Sequence, residues 1–194
     1  MPIYRIQQKI SPLANQYWVL KGTEGREVIG FVHQKRFAFK EKFELFTGED
    51  KSAVAATIQA RQVLDFGARY DIADPAGQRL GVIGKDFSKS LLRSTWQIFS
   101  PDESAVIATV RERSLPVAII RRIWTAVPVI GEIPFPVKYH FEFITPDGRV
   151  AGNYQKTSLI MDYYQIDIDD QLAATTDWRV FIGLGIMLDA LQSR

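Results

Sequence analysis

Apolar and polar residues alternate along most of the chain, and a period of two is typical of β-strands with one buried face. The alternating runs predict about twelve strands. We place them at residues 3–9, 16–21, 27–33, 36–45, 53–61, 66–73, 79–85, 93–99, 105–112, 137–144, 149–156 and 160–168. Residues 177–192, DWRVFIGLGIMLDALQ, break this pattern because they are apolar on almost every side of a helix. Such a helix has to be buried all round.

Four segments repeat one hairpin pattern: WVLKGTEGREVIG, YDIADPAGQRLG, WQIFSPDESAVIA and FEFITPDGRVAG. Each begins with an aromatic residue and has an apolar residue two positions on, a turn-forming residue at four and another apolar residue at ten. The seventh position holds Gly25, Gly77, Glu103 and Gly148. Two strands joined by a tight turn form a β-hairpin. The repeats therefore predict one sheet of successive antiparallel hairpins.

A sheet of about twelve antiparallel strands does not stay flat and open, because strand twist accumulates and its edges pair with other chains. Closure into a barrel removes the edges, and a barrel wider than about eight strands has a lumen that wall side chains alone do not fill. Residues 177–192 are suited to fill it, with Asp177 as N-cap and with Arg179 and Asp189 near the two barrel ends. We predict a mainly β, closed antiparallel barrel that encloses a C-terminal hydrophobic α-helix, with residues 1–194 forming one domain.

One segment does not fit the strand pattern. Residues 115–136 read LPVAIIRRIWTAVPVIGEIPFP, and their prolines disfavour a central strand. We interpret this segment as an apolar, Pro-rich excursion inserted between two hairpins. It is either a lid packed over one barrel end or an element that contacts a membrane or partner through Arg121, Arg122 and Trp124.

Composition narrows the possible partners. The 24 basic and 22 acidic side chains give a net charge of +2, so we expect no nucleic-acid partner. The absence of cysteine excludes disulfides and thiolate catalysis. The start MPIYRIQQKI lacks a signal-peptide pattern, and the uncharged stretch between Arg179 and Asp189 is too short to span a bilayer. We therefore expect a cytoplasmic protein, with peripheral attachment to a membrane as the alternative.

The usual signatures of catalysis and cofactor binding are missing. There is no GxSxG motif, and the two histidines, His33 and His140, each lie in an alternating run. Residues 183–185 (GLG) lie inside the predicted helix, and residues 84–85 lack the context of a phosphate-binding loop. The acidic stretch 162–170 lacks the glycine and terminal glutamate of a calcium loop. We expect no catalytic residue, cofactor or metal site; a hydrolase built on either histidine is the minor alternative.

Two local basic clusters are the candidate ligand-binding residues. The first comprises Lys35, Arg36, Lys40 and Lys42, and the second comprises Lys85, Lys89 and Arg93. Alternate residues of a strand face the same side, so such side chains can meet one phosphate or anionic head group together. The alternative interpretation of each cluster is a solvated charged face.

The hairpins YDIADPAGQRLGVIGK and FEFITPDGRVAGNYQK, the strand FAFKEKFELF and the helix DWRVFIGLGIMLDAL together resemble the tubby C-terminal-like superfamily. Within it, the chain is similar to the LURP-one-related and phospholipid scramblase-like proteins. The resemblance implies a barrel around a central helix. Tubby domains bind phosphoinositides through basic residues on the barrel, scramblase-like proteins are linked to calcium-dependent lipid movement, and LURP-one relatives are linked to defence.

Two functional hypotheses follow. The chain lacks the cysteine-rich stretch of the scramblases and a convincing calcium loop, so we do not expect lipid scrambling. The first hypothesis is a non-enzymatic binding or scaffold module that docks to anionic phospholipid or another phosphate-bearing ligand through the basic clusters. The second is an interaction or structural protein whose segment 115–136 meets a protein partner or a second copy of the chain, without lipid binding.

Overall fold

Twelve strands form one closed barrel in the computed structural model, which describes residues 1–9, 14–22, 24–25, 27–35, 42–61, 69–86, 94–114, 116, 140–158 and 163–192. The strands are β1 (Ile3–Lys9), β2 (Ala14–Lys21), β3 (Glu27–Lys35), β4 (Lys42–Phe46), β5 (Val54–Ala60), β6 (Arg69–Ala73), β7 (Arg79–Lys85), β8 (Thr95–Phe99), β9 (Val106–Glu112), β10 (His140–Ile144), β11 (Val150–Lys156) and β12 (Tyr163–Ile168). Two helices follow β12: α1 (Asp170–Thr175) and α2 (Trp178–Gln192). The prediction of a mainly β barrel with a C-terminal helix is confirmed.

Each strand pairs antiparallel with its neighbour along the chain, and β1 closes the barrel by pairing with β12. The predicted strand 36–45 is observed as β4, since residues 36–41 lie outside the described residues. The excursion 115–136 also lies outside them, apart from Pro116. The assignment of residues 1–194 to one domain therefore stays a prediction.

The antiparallel order divides the chain connections between the two ends of the barrel. One end, the turn end, receives the short turns 22–26, 47–53, 74–78, 100–105 and 145–149 and the segment 169–177 after β12. The other end, the loop end, receives the connections that follow odd-numbered strands: 10–13, 36–41, 61–68, 86–94, 113–139 and 157–162. The five hairpin turns thus lie at the turn end, and the longest connection, 113–139, leaves the barrel at the loop end.

The five turns between paired strands share one geometry. In each, the backbone N–H of one residue donates to the carbonyl three positions earlier: Gly25 to Gly22, Lys51 to Gly48, Gly77 to Asp74, Glu103 to Ser100 and Gly148 to Thr145. All five donor residues have a φ between 56° and 87°. Glycine adopts this left-handed region without strain, which explains the glycines of the repeat. The sequence pattern missed the turn of Lys51 because its hairpin begins with Glu44 and has no glycine at the donor position.

The helix α2 lies inside the barrel, as predicted. The side chains of Val180, Phe181, Ile182, Leu184, Ile186, Met187 and Leu188 are fully buried. Gly183 approaches Ile58, Ile72 and Ile83 so closely that an added Cβ would lie 3.3 Å from two of them. A Cβ on Gly185 would lie 2.6 Å from the Ile6 side chain. These two glycines therefore let the wall touch the helix backbone.

Polar contacts hold the two ends of α2. Asp177 caps the helix as predicted, because its Oδ1 accepts the backbone N–H of Arg179 at 2.9 Å. Arg179 also donates to the Ala55 carbonyl at 2.8 Å, which ties the helix start to the wall at the turn end. Near the loop end Asp189 is only 5% exposed and accepts hydrogen bonds from Tyr17, at 2.5 Å, and from Tyr164. Asp189 is thus an interior carboxylate.

The acidic stretch after β12 has structural roles. Ile166 and Ile168 are buried, which confirms the predicted alternation in this strand. The helix α1 was not predicted; Asp169 caps it by accepting the Leu172 N–H at 2.7 Å. Asp169 also forms an ion pair with Arg149. The sequence predicted a strand to residue 168 and no helix after it, because the contacts of the cap depend on the fold.

Glu103 occupies a turn position where glycine is usually favoured. The ion pairs of its side chain explain why a glutamate is found there instead. Its carboxylate lies 2.5 Å from Arg61, 2.9 Å from Arg69 and 3.4 Å from Arg79 on the outer wall. The hydrogen bond from Arg61 lowers the pKa of the Glu103 carboxyl, with further help from the neighbouring positive charges. A non-glycine residue in the left-handed region costs on the order of 1 kcal/mol, and these ion pairs offset that cost.

We expect Leu184→Asp or Leu188→Asp to unfold the domain. Either change leaves an unpaired carboxylate in an apolar lumen, at a cost of about 3–5 kcal/mol, and removes a fully buried leucine, at a further cost of about 2–5 kcal/mol. The sum is comparable with a typical stability of about 5–15 kcal/mol. Near-ultraviolet circular dichroism and urea unfolding measure the effect. Val28→Asp is the matched control, since Val28 is 49% exposed and this variant should remain folded. A folded, cooperative Leu184→Asp protein would show that the helix is not enclosed.

We expect Glu103→Gln to destabilise the protein by about 1 kcal/mol at pH 7 through loss of its ion pairs. Because the folded-state pKa of Glu103 is lowered, its contribution is present above the unfolded-state pKa and is lost as the pH falls through the folded-state pKa. The difference between wild type and Glu103→Gln should therefore disappear in acid. Thermal unfolding across pH tests this, with Glu27→Gln, an exposed glutamate, as the control. An equal difference at every pH contradicts the assignment.

Candidate functional site

The first predicted basic cluster lies at the loop end of the barrel. Lys35 is the last residue of β3 and Lys42 is the first residue of β4. Gln34 and Phe43 are register partners, so Lys35 and Lys42 occupy the next positions of two paired strands. Lys42 is exposed and its Nζ lies 3.2 Å from Glu44. Arg36 and Lys40 lie outside the described residues.

The second predicted cluster begins at the same end. Lys85 is the last residue of β7, and its ammonium group lies 5.8 Å from the centre of the Trp96 ring. This distance is within the range of a cation–π interaction. Lys89 and Arg93 lie outside the described residues, as do Arg121, Arg122 and Trp124.

The structure brings together the described members of both clusters, Lys35, Lys42 and Lys85, at one end of the barrel. They are not adjacent, since β7 is separated from β4 by β5 and β6. Their arrangement follows from topology, because β3 and β7 both run towards the loop end and β4 starts there. The loop end is therefore the candidate site.

Two further basic residues of the loop end were missed by the sequence analysis. Lys156 is the last residue of β11, with its ammonium group 5.9 Å from the centre of the Tyr164 ring. Arg113 follows β9; its side chain is 67% exposed and lies 3.5 Å from Glu142. The order of the strands could have indicated both residues. In an antiparallel barrel every odd-numbered strand finishes at the same end, so basic residues that end or follow these strands lie at that end.

Lys85 and Lys156 both lie on the inward face of the barrel wall. On β7 the position of Gly81 faces α2, since a Cβ there would lie 3.0 Å from Val180. Positions two and four residues further along the strand face the same side, so Lys85 is on the inward face at the barrel mouth. By the same alternation Lys156 follows the buried Tyr154. The two ammonium groups therefore lie at the rim of the barrel rather than on its outer wall.

Charge is distributed unevenly between the two barrel ends. The segments of the turn end contain Glu24, Glu49, Asp50, Asp74, Asp102, Glu103, Asp147, Asp169, Asp170 and Asp177, against Arg26, Lys51 and Arg149. The segments of the loop end contain Arg36, Lys40, Arg61, Lys89, Arg93, Arg113, Arg121, Arg122 and Lys138, against Glu41, Asp65, Asp86, Glu132 and Asp162. In sequence, the connections of the turn end thus carry an excess of acidic residues and those of the loop end an excess of basic residues. Two of the acidic residues, Glu49 and Glu103, pair with Lys9 and Arg61.

Some basic residues of the wall are already neutralised. Lys9 forms an ion pair with Glu49, which also accepts the Trp18 indole N–H at 3.0 Å. These hydrogen bonds lower the pKa of the Glu49 carboxyl. Arg61 is held by Asp71 and Glu103, whose hydrogen bonds raise its pKa. We exclude Lys9 and Arg61 from the candidate site for this reason.

The sequence predicts no metal site and no catalytic role for the histidines, and the structure gives the surroundings of these groups. Within the described residues, no three histidine or carboxylate side chains are arranged to hold a metal ion. The Nδ1 of His33 lies 3.3 Å from the Gln16 amide nitrogen and 3.3 Å from the Lys51 ammonium group. These contacts surround the imidazole with hydrogen-bond donors on the outer wall.

No helix in the described ranges is long and apolar enough to cross a membrane.

Comparison with known proteins agrees with the fold. A search of curated proteins found no match to this chain. A sequence model of a protein family, LURP-one-related, matches residues 28–189, from β3 to the last turns of α2. This family lies in the tubby-like superfamily, whose barrel and central helix the resemblance implied. The match covers most of the barrel together with the helix that fills it, and the chain therefore belongs to the LURP-one-related family.

Proposed function

We propose that this protein is a non-enzymatic binding module that docks its loop end onto an anionic phospholipid surface. The observation that supports the proposal is the separation of charge between the two barrel ends. A membrane with anionic lipids attracts the basic end and repels the acidic end. The charge separation therefore favours attachment in one orientation.

The strength of the attachment follows from the number of basic groups. Each lysine or arginine near an anionic surface contributes about 1 kcal/mol. Lys42, Lys85, Lys156 and Arg113 lie on the rigid barrel or next to it, so little ordering is needed to present them. Glu44 partly neutralises Lys42 and Glu142 partly neutralises Arg113, and Lys85 and Lys156 each have contacts within the protein as well. We expect weak attachment that high salt reverses, because exposed charges are screened.

The loop connections extend the same surface. Lys35, Arg36, Lys40, Lys89 and Arg93 belong to strands or connections of the loop end, and we propose them as further contacts. Arg121, Arg122 and Trp124 belong to the connection between β9 and β10 and are proposed membrane contacts. The alternative, a protein partner bound by segment 115–136 without lipid, remains a prediction from the sequence.

Vesicle sedimentation tests the proposal. The protein should sediment with vesicles of phosphatidylcholine and phosphatidylserine at low salt, but not with phosphatidylcholine alone. Lys42→Glu should lower the partition coefficient roughly fivefold or more, since it removes one attractive charge and adds a repulsive one.

Lys21→Glu is the matched control, because Lys21 is an exposed lysine next to the turn end and the charge change is identical. It should leave sedimentation nearly unchanged. Equal sedimentation with both kinds of vesicle would contradict lipid docking. Equal loss in Lys42→Glu and Lys21→Glu would contradict docking by the loop end.

A further inference from the structure

A polar groove lies on the outer wall where the first and last strands close the barrel. Arg5 and Gln165 are register partners, as are Gln7 and Tyr163. With Thr157 and Tyr164 they line a groove of about 260 Å³, which we call the closure groove. Four side chains from two paired strands thus surround one shallow depression.

Arg5 stands apart from the other half-buried arginines. Arg61, Arg69, Arg149 and Arg179 each form an ion pair with a carboxylate. Within the described part of the chain, Arg5 has neither an ion pair nor a side-chain hydrogen bond. Partly burying a charged group without a partner is unfavourable. The guanidinium of Arg5 is therefore available to an anionic ligand.

The backbone around Arg5 is shaped to hold its side chain in place. The turn between β2 and β3 passes so close that a Cβ on Gly25 would lie 3.1 Å from both Cδ and Nη1 of Arg5. A larger residue at Gly25 would require the Arg5 side chain to shift. The stem and one guanidinium nitrogen of Arg5 therefore pack against this turn.

The remaining groups of the closure groove supply hydrogen bonds. Among the described contacts, the Gln7 amide and the Tyr163 hydroxyl have no partner. Gln165 donates its amide nitrogen to Asp167 at 2.9 Å, so its amide oxygen remains as an acceptor. Thr157 donates its hydroxyl to the Tyr163 carbonyl at 3.1 Å. The groove thus combines one cation with donors from two other side chains and one amide acceptor.

The groups that line the closure groove favour a phosphate that carries hydroxyl groups. A guanidinium binds two oxygens of an oxyanion side by side. A carboxylate has only those two oxygens, whereas a phosphate has a third for Gln7 or Tyr163. The amide oxygen of Gln165 accepts from a hydroxyl group. A volume of about 260 Å³ suits a small molecule.

We propose that the closure groove binds a small, water-soluble phosphate monoester that carries hydroxyl groups, with Arg5 on the phosphate. The groove opens on the outer wall and extends from Arg5 to Thr157, the first residue of the loop-end connection 157–162, so a competition experiment is needed to separate it from membrane docking. Arg5 is the ligand-binding residue of this proposal.

Calorimetry and NMR titration with glycerol 3-phosphate test the proposal. The wild type should bind this probe and bind glycerol far more weakly, because the phosphate supplies the contact with Arg5. Arg5→Gln should weaken binding at least tenfold. Arg111→Gln is the matched control, since Arg111 is an exposed arginine with no partner in the described ranges. Equal loss in both variants, or equal binding of glycerol, overturns the proposal.

Thermal unfolding separates binding from folding. Arg5→Gln should leave the melting temperature of the ligand-free protein unchanged or raise it, since it removes an unpaired, half-buried charge. A fall of several degrees would show that Arg5 has a structural role and would overturn the proposal.

A competition experiment separates the groove from lipid docking. Saturating glycerol 3-phosphate should not displace the protein from vesicles that contain phosphatidylserine, beyond the effect of an equal ionic strength of sodium chloride. Displacement beyond that effect would make the groove a lipid head-group site and overturn a soluble ligand. If the protein does not sediment with vesicles at all, binding of glycerol 3-phosphate still supports the groove, and only the membrane proposal fails.

Discussion

The structure depends on the burial of one helix that has no polar face. Each fully buried aliphatic or aromatic side chain of α2 contributes about 1.5–3 kcal/mol relative to exposure in water, and the helix gains this only inside a complete wall. In turn, a wall of twelve strands encloses a lumen that its own side chains do not fill, and the helix fills it. Gly183 and Gly185 set the distance between the two, because the wall side chains contact the helix backbone there. Helix and barrel therefore stabilise each other, and neither is expected to persist alone.

This arrangement has consequences for where a ligand can bind. Because α2 occupies the lumen, the accessible chemistry lies at the barrel ends and on the outer wall. The strict antiparallel order then places the five hairpin turns at one end and the longest connection, 113–139, at the other. Acidic residues fit the tight turns, where Asp side chains hydrogen-bond to the turn backbone, as Asp74 does with the N–H of Gln78. The acidic character of the turn end thus partly follows from turn chemistry, and the basic character of the loop end has no such local cause.

Much of the fold was predictable because it rests on local signals. Alternation marked the strands, and the apolar run in residues 177–192 marked the helix. The turn of Lys51 and the helix α1 were missed, since a positive φ at lysine and the cap formed by Asp169 leave little trace in composition. The closure groove was not predictable at all. Arg5 and Gln165 come from opposite ends of the chain, and their proximity depends on the register of β1 against β12.

The pairing of β1 with β12 has a consequence for folding during synthesis. The first strand gains its second partner only after β12 has been made, and α2 follows β12 in the chain. Until then the hairpins expose apolar inner faces and two unpaired edges. Contacts so distant in sequence slow folding and prolong this exposed state. The open sheet is therefore the state in which this protein is most prone to aggregate, and closure of the barrel removes both edges at once.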